Sequence, residues 1–411
     1  MAAPEAAGSL LVDNLGQLAS AAGRGAIRGP TQVDLVKNAA VAIVDGKIAA
    51  AGPRDEVLRA HDGLPLLDAG GRAALPGLID CHTHAIFGGD RVAEFEMRSQ
   101  GRPYEEIHAA GGGIASSVRG TRAAAAEGRL PEILDHHLRG MAAHGTTVAE
   151  VKSGYGLDHD TELAMLAAAA APNVIETVPT FLGAHAVAPG ESDADGYIAW
   201  VIAEVLPAAA ELAVAADVFL ERGAFDAAQA ERYLRAAAAH GLAQRLHADQ
   251  FTEAGGIPLA IDLGARSADH LEATGPQGAA ALAASEVAAV LLPACVVMLD
   301  LPRPPARDLL DRGALVALAT DFNPGSAYCD SLPLVMSLAC MQLGMTPAEA
   351  LAGCTANAAW VLGRDDLGRA APGYAGDLVL LEADDWRHAA YHLGGDVVHA
   401  TVARGVVVCE S

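Results

Sequence analysis

The sequence predicts an α/β protein in which a (β/α)8 TIM-like barrel is joined to a small β-sandwich domain formed from both chain termini. In the middle of the chain, apolar runs alternate with Ala-rich helical segments, and strands that alternate with helices pair in parallel. Eight such units over about 250 residues are typical of this barrel. The two ends of the chain carry only short strand-like runs separated by turn residues.

The central apolar runs are rich in β-branched residues and are bounded by polar ones, as buried strands are. The predicted strands are Ala73–Asp80, Thr146–Lys152, Val174–Leu182, Asp217–Glu221, Gln244–Asp249, Ser267–Glu272, Val287–Leu292 and Ala314–Asp321. An open, doubly wound sheet would more often show a glycine-rich fingerprint after its first strand. The triple glycine at 111–113 follows no strand, so we interpret it as a helix-adjacent turn or a substrate loop.

Helix-like segments separate these strands. Three are clear from their Ala-rich composition: Thr161–Ala170, Tyr197–Ala213 and Ala227–His240. After the eighth strand, Thr346-Pro-Ala-Glu349 has the pattern of a capping box with proline at the first helical position. This pattern predicts a helix that begins there and continues through Leu351.

The terminal segments contain the remaining strands. Asp45-Gly46 lies between two apolar runs as a hairpin turn, and Gly376–Leu381 is strand-like near the other end. Neither terminal segment has enough strands to bury two faces alone. We therefore predict one composite β domain from residues 1–74 and 367–411, with the barrel at 75–366.

Composition argues against several classes of function. The 411 residues carry a formal charge of −24 without a Lys/Arg-rich run, so the surface repels phosphate backbones and anionic lipid headgroups. We expect no nucleic acid partner and no membrane partner. The first residues lack the basic region of a secretory signal and no run is apolar enough to span a bilayer, which predicts a cytoplasmic protein. Six scattered cysteines without a Cys-x-x-Cys pair predict reduced thiols.

Polar side chains gather at the predicted carboxyl ends of the strands, where barrel enzymes carry their chemistry. His82 and His84 follow the first apolar run and would share one face of a strand, because alternate strand residues point the same way. Alone, the pair fits hydrogen-bonded strand histidines as well as half of a metal site. With His247 from the fifth strand and Asp321 from the eighth, four ligands could hold a catalytic zinc or iron with an open position for water.

Further candidates stand at other strand ends: His185 after the third strand, Gln250 after the fifth and His270 on the sixth. For any single residue the alternative is a buried polar group whose hydrogen bonds are satisfied within the protein. The histidines on helix-like segments are interpreted as solvated or capping residues. They are His136, His137, His144 and His240.

Several motifs extend this pattern over nearly the whole chain. They are the segments 87–98, 110–114, 150–157, 180–185, 247–250 and 320–326. Together they resemble the amidohydrolase superfamily and, within it, the imidazolonepropionase family of histidine degradation. The resemblance implies a homodimer with one Zn²⁺ or Fe³⁺ per subunit. The implied metal ligands are His82, His84, His247 and Asp321.

Lysine content gives an independent indication of metal number. Binuclear members of the superfamily bridge two metals with a carboxylated lysine. Lys152 is the sole lysine in the predicted barrel, and it precedes His185 by a whole strand unit, which is early for a bridge from the fourth strand. We therefore expect one metal ion.

The implied reaction is hydrolysis of the cyclic amide C–N bond of 4-imidazolone-5-propanoate to N-formimidoyl-L-glutamate. Because the substrate carries a carboxylate, an acidic protein needs a local cation, and Arg91 can offer a bidentate guanidinium. A surface ion pair is the alternative for Arg91. Tyr155 and His185 could hydrogen-bond the substrate. The resemblance implies product contacts at Asn323, Gly325 and Ser326.

Hydrolysis also needs a base and an acid, for which His270 and Asp321 are the candidates. Some family members have a glutamate, proposed to activate the water, where this chain has Gln250. A neutral amide cannot accept that proton, so Gln250 can only orient substrate or water. A nucleobase deaminase would share the metal ligands but has less need of Arg91. A non-catalytic metal-binding barrel would not need Arg91, Tyr155 and His185 at one mouth.

Overall fold

The computed structural model describes residues 7–102, 106 and 112–411 of the chain. Within these residues the chain forms two sheets. One is an eight-stranded parallel barrel in which each strand pairs with the next along the chain. The other is a mixed sheet of eight strands drawn from both ends of the chain. The predicted fold class, a TIM-like barrel with a second β unit from both termini, is confirmed.

We number the strands along the chain. They are β1 (Leu10–Ala21), β2 (Val33–Val44), β3 (Lys47–Pro53), β4 (Leu66–Asp68), β5 (Ala73–Pro76), β6 (Leu78–Asp80), β7 (Thr146–Lys152), β8 (Glu176–Ala184), β9 (Ala215–Leu220), β10 (Ala243–Ala248), β11 (Ser267–His270), β12 (Ala288–Leu291), β13 (Val316–Leu318), β14 (Leu378–Leu381), β15 (Val398–Ala403) and β16 (Val406–Glu410).

The described helices are numbered in the same way. They are α1 (Arg54–Ala60), α2 (Val92–Ser99), α3 (Ile114–Ala126), α4 (Leu130–Ala143), α5 (His159–Ala170), α6 (Ala194–Trp200), α7 (Leu206–Ala209), α8 (Ala227–Ala239), α9 (Gly256–Leu263), α10 (Pro276–Ala283), α11 (Pro293–Leu299), α12 (Ala306–Asp311), α13 (Leu332–Gln342), α14 (Pro347–Gly353), α15 (Ala356–Val361) and α16 (His388–Tyr391). A π-helical segment, Val201–Val205, joins α6 to α7.

The barrel consists of β6 to β13, and each of these strands falls within a predicted apolar run or within a few residues of it. The predicted helices correspond to α5, α8 and the segment from α6 to α7. The capping box also forms, because the Thr346 hydroxyl accepts from the backbone N–H of Glu349 while the Glu349 carboxylate accepts from that of Thr346. The local patterns that predicted these elements therefore agree with the tertiary structure.

The first predicted strand, Ala73–Asp80, is in fact two strands that belong to different sheets. β5 pairs with β1 and β14 in the terminal sheet, whereas β6 pairs with β7 in the barrel. The chain changes sheets at Gly77, whose N–H donates to the Asp377 carbonyl oxygen at 2.9 Å. A Cβ atom on Gly77 would lie 2.2 Å from Thr147 Oγ1, so this crossing requires glycine.

The terminal sheet runs in the order β16-β15-β14-β5-β1-β2-β3, with β4 beside β1. The predicted hairpin joins β2 to β3, and both Asp45 and Gly46 have the positive φ angles (49° and 75°) that the Asp-Gly pair favours. β1 pairs in parallel with β4 and β5 but antiparallel with β2. The sheet therefore depends on strands from both termini, as the sequence predicts.

The barrel interior changes in character from one end to the other. At the amino ends of the strands it is apolar and includes Ile79, Val148 and Val290. Further along β7, Glu150 and Lys152 have the same orientation as Val148, because alternate strand residues share a face. Both are fully buried. The interior therefore passes from an apolar layer to a charged layer below the carboxyl ends of the strands.

Two predictions involve residues at the edge of what the structure describes. In the triple glycine, Gly111 lies outside the described residues, whereas Gly113 has a positive φ of 79° and precedes α3. The prediction that the first residues are not a secretory signal concerns residues 1–6, which also lie outside the described residues. Among the described helices, none combines the length and the apolar character that crossing a bilayer requires.

Candidate metal centre and active site

A cavity of about 510 Å³ opens at the carboxyl ends of the barrel strands. Its wall includes nearly all residues that the sequence predicts for the site, and His82 lies fully buried beside it. The predicted residues in the wall are His84, Arg91, Tyr155, His185, His247, Gln250, His270, Asp321, Asn323, Gly325 and Ser326. The fold thus brings together side chains from segments more than two hundred residues apart in the sequence.

His82 and His84 lie just beyond the end of β6 rather than within a strand, which corrects the prediction. Backbone hydrogen bonds from both neighbouring segments hold this stretch: the N–H of Asp321 donates to the His82 carbonyl, and that of Lys152 to the Thr83 carbonyl. The Thr83 hydroxyl also donates to the Glu150 carbonyl. The stretch is therefore extended and fixed although the regular strand has ended.

Four donor groups converge at this point. Nε2 of His247 lies 3.3 Å from Nε2 of His84. Oδ1 of Asp321 lies 3.6 Å from Nε2 of His82 and 3.6 Å from Nε2 of His84. In a tetrahedral site with metal–ligand bonds of about 2.0–2.2 Å, neighbouring ligand atoms are about 3.3–3.6 Å apart. The spacing of these donors therefore fits a single metal ion.

The protonation of the histidines also fits metal binding. Burial lowers the pKa of both His82 and His84 well below its usual value, so both imidazoles are neutral. Nε2 of His82 is buried and has no hydrogen-bond partner among the described residues. A buried nitrogen lone pair without a partner is costly unless a ligand occupies it. The chain thus has a buried histidine cluster suited to a metal ion.

Carboxylates behind the histidines fix their orientation. Nδ1 of His82 lies 2.5 Å from Oδ2 of Asp269, and Nδ1 of His247 lies 3.0 Å from Oδ2 of Asp217. A proton on Nδ1 leaves Nε2 free to bind a metal, and such carboxylate partners also make the imidazole a stronger ligand. Burial raises the pKa of Asp217, but His247 and Lys152 outweigh it and hold that pKa well below its usual range.

Lys152 is a partner of these carboxylates. Its Nζ atom lies 2.6 Å from Asp217 and 2.8 Å from Glu150, and Glu150 in turn pairs with Arg245. Burial opposes the charge on Lys152, but Asp217 and Glu150 raise its pKa above the usual value, so the amine stays protonated. A protonated amine does not form the carbamate that bridges two metals. The geometry thus agrees with the expectation of one ion.

His270 stands beside the donor cluster, with one ring nitrogen close to His82 and Asp321. Its Nδ1 atom lies 3.4 Å from Oε1 of Glu272. Burial lowers the pKa of His270, but Glu272 and Cys295 outweigh it and raise this pKa well above the usual value. Gln250 lies on the same side, where its Nε2 donates to Cys295 Sγ at 3.4 Å. His270 therefore holds a proton next to the donor cluster.

His185 and Tyr155 form the opposite wall. The His185 ring stacks on His84 at a centroid distance of 5.0 Å, and its Nδ1 lies 3.0 Å from the Gly154 carbonyl. Burial lowers the pKa of His185 to about 3, so its ring is neutral and its Nε2 can accept a hydrogen bond when Nδ1 donates to Gly154. Burial raises the pKa of Tyr155, which keeps its hydroxyl protonated as a donor.

The segment from Asn323 to Ser326 forms a compact turn at the mouth. The Asn323 side-chain oxygen accepts from the N–H groups of Gly325 and Ser326, both at 2.8 Å. Its amide nitrogen donates to the Asp321 carbonyl and to Ser326 Oγ. Ser326 Oγ also donates to Asp321 Oδ2 at 3.3 Å. The turn is therefore tied directly to one of the four donors.

Arg91 is in the cavity wall, but its guanidinium is already paired. Nε and Nη2 donate to the two carboxylate oxygens of Glu94 at 2.8 and 2.5 Å. Both side chains are largely buried, with 15% and 7% of their surface exposed. The predicted alternative of an ion pair is thus present, although inside the cavity wall rather than on the surface. These two bonds leave the N–H groups of Nη1 and the second N–H of Nη2 for a ligand.

One helix histidine differs from the prediction. His137 is buried on α4, where its Nδ1 lies 2.7 Å from the Ala85 carbonyl and its ring stacks on Phe87. It supports the loop that follows His84, so it is neither solvated nor a cap. His144 and His240 stand at the ends of α4 and α8, as expected of capping residues.

Comparison with known proteins shows to which family the chain belongs. A model of the amidohydrolase family matches residues 73–408. The imidazolonepropionase of Rubrobacter xylanophilus is 55% identical over 406 residues, which cover 97% of this chain and 98% of that relative. The imidazolonepropionase of Chloroflexus aggregans is 48% identical over 419 residues, with 97% and 98% covered. The chain belongs to the imidazolonepropionase family.

A solved structure shares the fold at much lower identity. The adenosine deaminase of Xanthomonas campestris, determined with bound zinc, has a TM-score of 0.64 and 19% identity, covering 99% of this chain and 93% of that one. This likeness concerns the fold alone. Because the imidazolonepropionases match at 55% and 48% identity over nearly their full length, they decide against a nucleobase deaminase for this chain.

Sequence reasoning missed the charged residues that support the site. Asp217, Asp269 and Glu94 are not among the predicted site residues. In the structure each of them contacts a predicted site residue: His247, His82 and Arg91, respectively. One available signal was the presence of a carboxylate inside an otherwise apolar, fully buried strand, as in β9 and β11. For Glu94 the signal was its position three residues after Arg91 at the start of a helix.

Proposed function

We propose that the cavity at the barrel mouth hydrolyses the ring amide of 4-imidazolone-5-propanoate and releases N-formimidoyl-L-glutamate. The observation that carries this proposal is the convergence of four buried donors, His82, His84, His247 and Asp321, beneath a cavity with guanidinium groups in its wall. Membership of the imidazolonepropionase family supports the choice of substrate.

The four donors would hold one Zn²⁺ or Fe³⁺ in each subunit. Nitrogen and carboxylate ligands suit both ions. When bound, such a cation lowers the pKa of water and polarises a carbonyl group. Asp269 and Asp217 fix the ring orientations of His82 and His247, so that Nε2 of each histidine faces the cluster.

The chain's own side chains would move the protons. Asp321 accepts the proton of the attacking water, because its carboxylate faces the cavity next to the donor cluster. His270 supplies a proton to the ring nitrogen as the C–N bond breaks. Water thus adds its oxygen to the carbonyl carbon and a hydrogen to the leaving nitrogen. Gln250 has no basic group and orients substrate or water by hydrogen bonds.

Substrate contacts would come from the walls on either side. Tyr155 donates its hydroxyl and Nε2 of His185 accepts a hydrogen bond at the ring of the substrate. Arg91 binds the propionate carboxylate with the part of its guanidinium that Glu94 leaves free. The turn at Asn323, Gly325 and Ser326 holds the opened product, whose second carboxylate forms at the former ring carbonyl.

Turnover tests this function directly. We expect the ultraviolet absorbance of the imidazolone to fall when the protein is added, with N-formimidoyl-L-glutamate as the product. The Asp321→Ala variant is the control because it removes both a proposed metal ligand and the base. If the native protein turned over no faster than this variant, the proposed function would be refuted.

The assignment of the acid and base has its own test. His270→Ala should lose most of the activity, whereas Gln250→Glu should gain none, because the native mechanism does not use a carboxylate at position 250. A large gain in Gln250→Glu would instead show that the missing carboxylate limits the rate. Metal analysis of the purified protein should find about one zinc or iron per chain.

The homodimer and the cytoplasmic location remain predictions from the sequence. Size-exclusion chromatography with light scattering should give twice the chain mass of 41.8 kDa for the native protein. A monomer of the chain mass would contradict the predicted assembly without affecting the proposed reaction.

A further inference from the structure

A second arginine, Arg98 on α2, lines the same cavity as Arg91. Nη2 of Arg98 donates to the carbonyl oxygen of Gly325 at 2.9 Å. Arg91 approaches the same residue from another direction, because a Cβ atom built on Gly325 would lie within 3 Å of its guanidinium carbon. Two guanidinium groups therefore meet at the turn on which the product is proposed to bind.

The two arginines differ in how their charge is balanced. Arg91 gives two hydrogen bonds to Glu94, so its charge is neutralised within the wall. The Glu94 carboxylate also accepts a hydrogen bond from the N–H of Gly113 at 2.8 Å. Arg98 donates a hydrogen bond to a neutral carbonyl, and its Nε is buried without a hydrogen-bond partner in the part of the chain that the structure describes. Arg91, Glu94 and Arg98 together thus carry one net positive charge, and Arg98 provides it.

A net positive charge in this position is unusual for a chain with a formal charge of −24. Arg98 is partly buried, and the nearby Glu94 carboxylate already accepts two hydrogen bonds from Arg91. A partly buried cation without a carboxylate of its own is stabilised when a ligand supplies the opposite charge. The proposed substrate has one carboxylate, at the end of a propionate tail. A guanidinium binds a carboxylate through parallel N–H groups, and hydrogen bonds between charged groups are among the strongest in proteins.

We propose that Arg98 determines specificity for the anionic tail of the substrate, as the cation whose charge the propionate carboxylate neutralises. This inference rests on the proposed function for the identity of the ligand. Glu94 aligns Arg91, the Gly325 carbonyl aligns Arg98, and the carboxylate is bound between the two guanidinium groups. Glycine at position 325 leaves room for the Arg91 guanidinium, which a Cβ atom there would displace.

The test compares Arg98→Gln and Arg98→Lys with the native protein on two substrates, 4-imidazolone-5-propanoate and its uncharged propanamide. Loss of a charged hydrogen bond should raise KM for the propanoate about tenfold or more in Arg98→Gln, with a much smaller change in kcat. Arg98→Lys should recover part of this loss because it keeps the charge. For the propanamide, kcat/KM should be similar in all three proteins.

Arg102→Gln is the matched control. Arg102 lies just after α2 and pairs with Glu106 on the surface, with 55% of its side chain exposed. The Arg102→Gln substitution therefore removes the same charge outside the cavity. Its KM for the propanoate should equal that of the native protein. An equal loss of kcat/KM on both substrates in Arg98→Gln would overturn the proposal, because Arg98 would then only support the Gly325 turn. An unchanged KM for the propanoate would overturn it as well.

Direct binding separates this inference from the proposed reaction. Glutarate has two carboxylates spaced as in the proposed product, and calorimetry can measure its binding without turnover. Arg98→Gln should bind glutarate about tenfold more weakly than the native protein and the Arg102→Gln control. Failure of the native protein to hydrolyse the imidazolone would refute the proposed function, whereas equal glutarate binding in all three proteins would refute the role of Arg98.

Discussion

The two ends of the barrel bury charge in different ways. At the base, Glu176 opens β8 and its carboxylate accepts hydrogen bonds from Arg364 and Arg404. Arg364 also pairs with Asp366 at 2.8 Å. At the mouth, by contrast, Nε2 of His84 lies 3.3 Å from Nε2 of His247, and Oδ1 of Asp321 lies 3.6 Å from Nε2 of both His82 and His84. Nε2 of His82 has no hydrogen-bond partner in the described chain.

This difference indicates what each end contributes. Paired charges at the base link the barrel to the terminal sheet, since Arg404 follows β15 and Glu176 belongs to β8. Their electrostatic requirements are met within the protein, so they serve stability. At the mouth the ligand atoms face one another without an opposite charge between them, and a bound cation would supply that charge. In a barrel of this kind the carboxyl ends carry function and the opposite ends carry stability.

The largest expected effect is at the mouth. His247→Ala removes one of the four donors, so the bound metal should be lost and turnover should fall at least about a thousandfold, because a metal contributes several kcal/mol to such reactions. Metal analysis and the imidazolone absorbance measure the two effects. His136→Ala, an exposed histidine on α4, is the control and should keep both. Full metal content in His247→Ala would contradict the assigned ligand set.

A smaller effect is expected at the base. Glu176→Gln leaves Arg364 and Arg404 without their shared carboxylate, so the free energy of unfolding should fall by about 3 kcal/mol. Urea unfolding measures this change, and metal content should not change. Glu231→Gln breaks an exposed pair with Arg235 on α8 and should cost under about 1 kcal/mol. Loss of metal in Glu176→Gln would mean that the two ends are coupled.

The next effect concerns the residues behind the donors. Asp269→Asn weakens the partner of His82 Nδ1 without removing a metal ligand, so metal affinity should fall about 10- to 100-fold. Competition with a chromophoric chelator measures the affinity. If Asp269→Asn bound metal as tightly as the native protein, the orientation of His82 would be set by packing alone.

The smallest expected effect concerns a half-exposed ion pair, His144 with Asp330, which belongs to neither the base nor the mouth of the barrel. His144 lies 3.3 Å from Asp330, with about a third of each side chain exposed, and Asp330 raises the pKa of His144. A raised folded-state pKa stabilises the protein fully below the unfolded value of about 6.5, and this stabilisation is lost as pH rises through the folded pKa. His144→Ala should therefore lower stability by under about 1 kcal/mol at pH 6 and by less at pH 9.

Much of this architecture could be predicted from the sequence because its signals are local. Strands β7 to β13 are buried on both faces, so they appear as continuous apolar runs that hardly depend on the rest of the chain. The capping box at Thr346 needs only four residues. The site residues at the strand ends could be chosen because the barrel fixes where the ends of parallel strands meet.

The rest depends on contacts between distant segments. The division of the first apolar run at Gly77 requires Asp377 and Thr147, neither of which is near it in the sequence. Arg91 and Glu94 are neighbours in the sequence, but the burial of their pair depends on Gly113 and Gly325, which come from other segments. The sequence also predicts His82 and His84 in a regular strand, whereas their extended backbone is held by hydrogen bonds from Asp321 and Lys152.

The crossing at Gly77 also bears on when the protein can become active during its synthesis. A ribosome makes the chain from its amino end, so β5 emerges long before its partner β14. Although β5 also pairs with β1, the pairing of the segment that leads into His82 and His84 is completed only after nearly the whole chain has been translated, and closing so long a loop is a late step in folding. We expect catalytic activity on the ribosome to appear abruptly, after β14 leaves the exit tunnel, rather than in proportion to the number of barrel units already made.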